Sequence, residues 1–207
     1  MSKIKSINTH SRDYHSVVFD NDDFFILHND VIAKFNLYIE KEIDDNLLKE
    51  IVFENELLKA KTLAYRFSSY KPRTSQEVIK KLEENNFNEQ IVKETISFLK
   101  NYGLIDDERY VRNFAKDKSK LKKWGIYKIK TELIKKGIDK TLIEEQLNEA
   151  YNESFETENA LKLVYRKLSL IKKKTPEKIK QSIINYLQYK GFSWEVIRKV
   201  LDELKFE

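Results

Sequence analysis

The spacing of apolar residues along this chain changes near residue 44. Before that point, Lys3-Ile4-Lys5-Ser6-Ile7 alternates in the manner of a half-exposed strand. Tyr14 to Phe19 and Phe24 to Leu27 are short runs rich in β-branched and aromatic residues. Asp20-Asn21-Asp22-Asp23 between them supplies turn residues, which predicts a hairpin. Asp30-Val31-Ile32-Ala33-Lys34-Phe35 predicts one short helix. From Asp44 the period becomes helical, with Leu47, Leu48, Ile51, Val52 and Leu58 on one side.

The helical part repeats. Val78, Leu82, Phe87, Val92 and Ile96 are matched 51 residues later by Ile129, Leu133, Ile138, Ile143 and Leu147. A further 54 residues on stand Ile183, Leu187, Phe192, Ile197 and Leu201. Fifteen apolar positions thus keep one internal spacing, the mark of stacked units that share core surface. Asn86, Gly137 and Gly191 fall at equivalent junctions between two helices of each unit, and Asn and Gly accept the left-handed backbone that closes a helix. Thr74-Ser75-Gln76-Glu77 reads as a capping box, and Thr175-Pro176 as an N-cap followed by proline at the first helical position. Another helix precedes each pair, roughly over 57–69, 107–120 and 156–171. The expected fold is mainly α: three tandem three-helix, helix-turn-helix-like repeats forming an elongated curved rod behind a small N-terminal β-strand element. The expected divisions are 1–43 (β-hairpin or three-strand element with a short helix), 44–104 (helical linker and first repeat), 105–152 and 153–207.

Composition supports helices, since 207 residues hold only 4 Gly and 2 Pro while 35% are charged. With no cysteine, neither a disulfide nor a thiolate metal site can form. No apolar run approaches the roughly 18 residues of a membrane span, so a cytoplasmic protein is expected. The net charge of +5 conceals an asymmetry: residues 1–56 carry 6 basic against 12 acidic side chains, and residues 57–207 carry 33 against 22. A basic body of this kind suits a polyanionic partner.

Candidate chemistry is sparse. His10, His15 and His28 lack metal-ligand spacing and are expected to face solvent from strands and turns. Asp22-Asp23, Asp44-Asp45 and Asp106-Asp107 stand at turns or helix starts, where a carboxylate caps free backbone N–H groups. No nucleophile–base set, phosphate-cradling glycine loop or dinucleotide fingerprint occurs. No catalytic residue, metal or cofactor is therefore expected. The strongest candidate is Lys116 to Lys136, where nine lysines face two acids. Within it Lys116, Lys118, Lys120, Lys122, Lys123, Lys128 and Lys130 could neutralise phosphates or an acidic surface. Trp124 could stack on a base or plug the core between units, and the core role is preferred. Lys172, Lys173 and Lys174 repeat the feature at the corresponding bend of the third unit. Arg66 and Arg73 flank the first bend, serving either a partner or the preceding helix's last carbonyls.

A helix-turn-helix DNA reader is the main competing function, with a helical scaffold for another acidic partner as the third. A reader needs a later helix suited to the major groove. Here Asp139 to Ala150 carries four acids against Lys140 alone, and Asn88 to Lys100 is neutral. That charge distribution disfavours base reading.

Several segments together resemble the RecX family over about residues 12–205. They are Leu63 through Arg66, Arg73-Thr74-Ser75, Glu77 and Leu82; Gly103-Leu104-Ile105-Asp106-Asp107 with Tyr110 and Ala115; and Gly125, Ile129, Glu132-Leu133 and Lys136-Gly137-Ile138. The third unit departs from the pattern, with Glu156 to Asn159 in place of an Asp-Asp start. The resemblance implies a non-enzymatic regulator that binds the RecA recombinase filament along its groove. It also implies limits on filament growth, ATP hydrolysis, strand exchange and co-protease activity. A monomer without membrane attachment, open to weak direct contact with DNA, completes the expectation.

Overall fold

The computed structural model describes residues 2–150, 153–170 and 175–205. Its first element is an antiparallel sheet of strands β1 (Ser2–Thr9), β2 (Tyr14–Phe19), β3 (Phe24–His28) and β4 (Glu42–Ile43), in the order β3-β2-β1-β4. The hairpin forms where the acidic turn predicts it, with Asp22 in the left-handed region at φ 64° and its N–H donating to the Phe19 carbonyl. Alternation puts Val17 and Phe19 on one face, where they pack with Ile4, Leu27, Ile43 and Ile51. The sequence suggests three strands. The fourth pairs only Ser2 with Ile43 and Lys3 with Glu42, too short to leave a period in the sequence.

Helix α1 (Asn29–Lys34) follows β3, and α2 (Asp45–Tyr70) follows β4. The expected linker and first repeat helix run on as one continuous helix about 39 Å long. Asp44 caps it by accepting the Leu47 N–H at 2.8 Å. Its first half packs on the sheet through Ile51 and its second half on α4 (Glu89–Asn101), so its buried residues form no single stripe. His15 and His28 are not solvent-facing as expected: both are half-buried, and the His28 ring accepts the Asp30 N–H to cap α1.

The repeat helices are α3 (Ser75–Glu83) with α4, then α5 (Asp107–Lys122), α6 (Ile126–Lys135) and α7 (Lys140–Ala150), then α8 (Glu153–Leu168), α9 (Pro176–Lys190) and α10 (Trp194–Glu203). Of the fifteen repeat positions, thirteen are buried, and Phe87 and Ile96 are half-buried. Leu82, Leu133 and Leu187 have no exposed surface at all. The three junctions are alike: Asn86, Gly137 and Gly191 take φ values of 62°, 76° and 85°. In each, the next residue's N–H reaches back to the carbonyl of Leu82, Leu133 or Leu187.

Two compact units result, residues 1–71 with 78–104 and residues 72–77 with 105–207. One device recurs in them. A backbone N–H at a helix start donates to a polar side chain on a later helix: His28 to Asn55 at 3.0 Å, Ser75 to Asp107 at 2.9 Å, Ile126 to Glu156 at 3.0 Å. Asp106 is the N-cap of α5, as its position predicts, but its neighbour Asp107 serves this seat instead. Glu156, where the third repeat departs from the pattern, does for α6 what Asp107 does for α3. At the corresponding start of α9 stands Pro176, which has no N–H to give.

Candidate functional site

The basic segment occupies the end of α5, a bend and α6. Helix α5 begins at the Asp106 cap and ends at Lys123, whose φ of 52° turns the chain left-handed toward Gly125. Residues four apart share a helix face. Lys116 and Lys120 are accordingly exposed on one side, while Lys118 turns toward Phe114 and Trp124, its ammonium 5.1 and 5.5 Å from their ring centroids. Lys122 is exposed, and Lys123, Lys128 and Lys130 are partly covered. Among the described residues, no carboxylate lies within ion-pair distance of any of these seven lysines, whereas Lys135 and Lys136 pair with Glu132 and Glu77.

Trp124 is half-buried at the edge of the second-repeat core, tilted against Phe114 with centroids 6.4 Å apart. Lys118 and Lys128 both approach its ring. Arg73 is largely covered beside Glu77, at 3.9 Å, at the start of α3. Arg66 is exposed on α2, in the first unit. Lys172, Lys173 and Lys174 lie outside the described residues.

Folding adds members that local spacing could not reveal. The start of α6 lies on the end of α9, where the Gly125 N–H donates to the Lys190 carbonyl at 2.9 Å and the Tyr127 N–H to the Gly191 carbonyl at 3.0 Å. That approach brings Lys128 within 4.1 Å of the Tyr189 ring centroid. Lys190 joins the same cluster. Burial, and then the charges of Lys128 and Lys122, hold its ammonium below the ordinary lysine range. Lys128 and Tyr189 stand 61 residues apart in sequence, and only the repeat register could have suggested their meeting.

No group of three metal-ligating side chains occurs among the described residues, and no described helix is long and apolar enough to cross a membrane.

Comparison with known proteins agrees with this architecture. Models of the first, second and third RecX three-helix domains match residues 60–99, 106–147 and 155–201. Regulatory protein RecX of Lactococcus lactis subsp. lactis (strain IL1403) is 35% identical across the whole chain, which covers 78% of that protein. Regulatory protein RecX of Clostridium perfringens (strain 13 / Type A) is 33% identical over 99% of this chain and 97% of its own. A crystal structure of regulatory protein RecX shares the fold at a TM-score of 0.75 with 24% identity, covering 98% of this chain and all of that one. The crystal structure of RecX from Lactobacillus salivarius gives 0.68 and 27%, over 74% of this chain and 99% of that one. With three consecutive family domains matched and full-length relatives above 30% identity, the chain belongs to the RecX family.

Proposed function

We propose that this protein is a non-enzymatic, cytoplasmic regulator that binds the RecA nucleoprotein filament as a monomer and limits its growth and ATP hydrolysis. Strand exchange and the co-protease role of the filament fall under the same restraint. Membership of a family whose relatives are named regulatory proteins is the observation that carries this reading. The basic segment of α5 and α6 supplies the contact surface, because seven of its nine lysines have no carboxylate within ion-pair distance among the described residues. Arg66 and Lys172 to Lys174 are further candidates for that contact.

The test replaces the exposed Lys116, Lys120 and Lys122 by glutamate and titrates the variant against recombinase-coated single-stranded DNA at two salt concentrations. Filament binding and ATPase inhibition should weaken at least about tenfold, with a flatter salt dependence, because fewer ionic contacts form. Circular dichroism should show an intact helical fold, since exposed substitutions are worth about 0.5 kcal/mol or less each. A folded variant that inhibits at wild-type concentrations would remove these lysines from the contact. Preference for one duplex sequence without recombinase would instead establish a DNA reader.

A further inference from the structure

The seam between α6 and α9 concentrates positive charge that no carboxylate among the described residues meets at ion-pair distance, Glu132 acting on Lys128 only from farther along α6. Lys122, Lys128 and Lys190 converge there. Rings separate the cations. The Lys128 ammonium sits 4.1 Å from the Tyr189 centroid and 5.1 Å from that of Trp124, while Tyr186 lies between Lys167 at 4.4 Å and Lys190 at 5.7 Å. Tyr189 is nevertheless 71% exposed, so most of its ring remains open. A groove of about 560 Å³ runs on from this point, lined by Lys167, Lys178, Asn185, Tyr186 and Tyr189.

Like charges held together cost stability that a bound anion returns. Cations grouped around the exposed Tyr189 ring fit one class of anion best. A single nucleic-acid strand offers phosphates at regular intervals together with unpaired bases whose faces can stack, whereas in a duplex those faces are already stacked on each other. An acidic protein surface would match the lysines and could cover the ring, but it does not offer stacking faces at regular intervals between its charges.

We propose that the α6–α9 seam is a seat for the backbone of single-stranded nucleic acid, with Lys128 and Lys190 taking phosphates and Tyr189 stacking on a base. This rests on the reading of the protein as a filament-binding regulator and names the filament component that the seam touches. Tyr186 and Lys167 extend the seat along the groove.

Fluorescence anisotropy of a labelled oligodeoxythymidine with the full chain, without recombinase, tests it independently of filament binding. The strand should bind in preference to a duplex of equal length. Joint Lys128→Gln and Lys190→Gln should weaken it about tenfold or more and reduce the slope of log affinity against log salt by about 1.4, at roughly 0.7 for each phosphate left without its lysine. Tyr189→Leu should weaken it about tenfold at unchanged slope, because stacking releases no counterions. Lys93→Gln on α4 should do neither. Because the Lys128 ammonium also donates to the Tyr189 carbonyl, Lys190→Gln alone provides a second variant, with a slope change of about 0.7. Unchanged binding in these variants, or an equal loss in Lys93→Gln, overturns the proposal. So does a chain that ignores the free strand yet still binds the filament, an outcome that leaves the regulatory reading intact and gives the seam to protein.

Discussion

Two helix starts in this protein, those of α3 and α6, seat on the end of a later helix, and they do so by opposite means. At α3 the contact is made by side chains. The Thr74 hydroxyl donates to the Lys136 carbonyl at 2.9 Å, Glu77 pairs with the Lys136 ammonium at 3.0 Å, and Glu77 and Thr74 close a reciprocal capping box. At α6 the contact is backbone on backbone. Gly125 stands where Thr74 stands, and a Cβ there would lie 2.3 Å from the Gly191 carbonyl oxygen. Without a side chain at the N-cap, the two backbones close until N–H meets C=O directly. One seat therefore depends on charges and hydroxyls, and the other on the absence of atoms. They should fail under different insults.

The sharpest way to break the glycine seat is Gly191→Ala. Its φ of 85° strains any L residue, and the added Cβ would meet the Lys128 backbone nitrogen at 2.3 Å, where nothing can swing aside. Urea denaturation should show a loss of more than about 3 kcal/mol, at the upper end of overpacking effects. Gly103→Ala provides the calibration. Its φ is also positive, at 64°, but no atom lies within 4 Å, so backbone strain of about 1 kcal/mol is all that should appear. Equal losses at the two positions would mean that the close approach of α6 and α9 contributes nothing.

This contrast also shows what the sequence could and could not disclose. The apolar repeat predicts the buried faces, and Asn86, Gly137 and Gly191 predict the left-handed junctions, because both features are written in local spacing. Local spacing could not disclose that Thr74 reaches a carbonyl 62 residues away, or that Gly125 is open in order to admit Gly191. The substitution of Glu156 for an Asp-Asp start was equally opaque. A longer carboxylate arm from another helix position reaches the same kind of N–H. In the candidate surface, the lysines of α5 and α6 were visible as a run, while Tyr189 and Lys190 entered only through packing. Even α2 concealed its length, since its core face changes from the sheet to α4 midway and never sustains one stripe.

The side-chain seat should be the one that titrates. Burial would raise the Glu77 carboxyl, but the Thr74 N–H, Lys136 and Arg73 outweigh it and hold the group below the usual glutamate range. A pKa lower in the folded than in the unfolded chain gives stability present above the unfolded value and lost as pH falls through the folded one. Burial alone would lower Lys136, yet Glu77 and Tyr110 raise it. Its contribution is therefore complete below the ordinary lysine value and lost as pH rises through the raised one. The seat is strongest between those limits. Glu77→Gln should cost about 1 kcal/mol near neutrality, typical of a lost cap, and should flatten the acid limb of stability against pH. Gly191→Ala should instead lower the whole curve without changing its acid slope. A Glu77→Gln variant that keeps the wild-type acid limb would show that the titrating group lies elsewhere.

The smallest effect comes from exchanging residues among the three junctions, whose backbones are alike but whose surroundings are not. Asn86 is exposed at φ 62°, and asparagine tolerates this region less well than glycine. Asn86→Gly should therefore relieve strain at the first junction. Glycine also enlarges the entropy of the unfolded chain, which offsets part of the gain and leaves about 0.5 kcal/mol. The reverse exchange, Gly137→Asn, should cost more than that gain. Its backbone has a similar φ of 76°, but a Cβ would stand 2.4 Å from the Gln76 Cγ, inside the α3 seat. The Gln76 Cγ can rotate aside while its Cβ, at 2.5 Å, cannot, and the cost should stay below that at Gly191, where two backbone atoms are met as well. Denaturant midpoints ordered Asn86→Gly, wild type, Gly137→Asn and Gly191→Ala, from most to least stable, would show that junction glycines are set by what docks on them as well as by their φ. If Gly137→Asn matched the wild type, backbone conformation alone would account for all three junctions, and the tight approach of Gln76 would carry no energy.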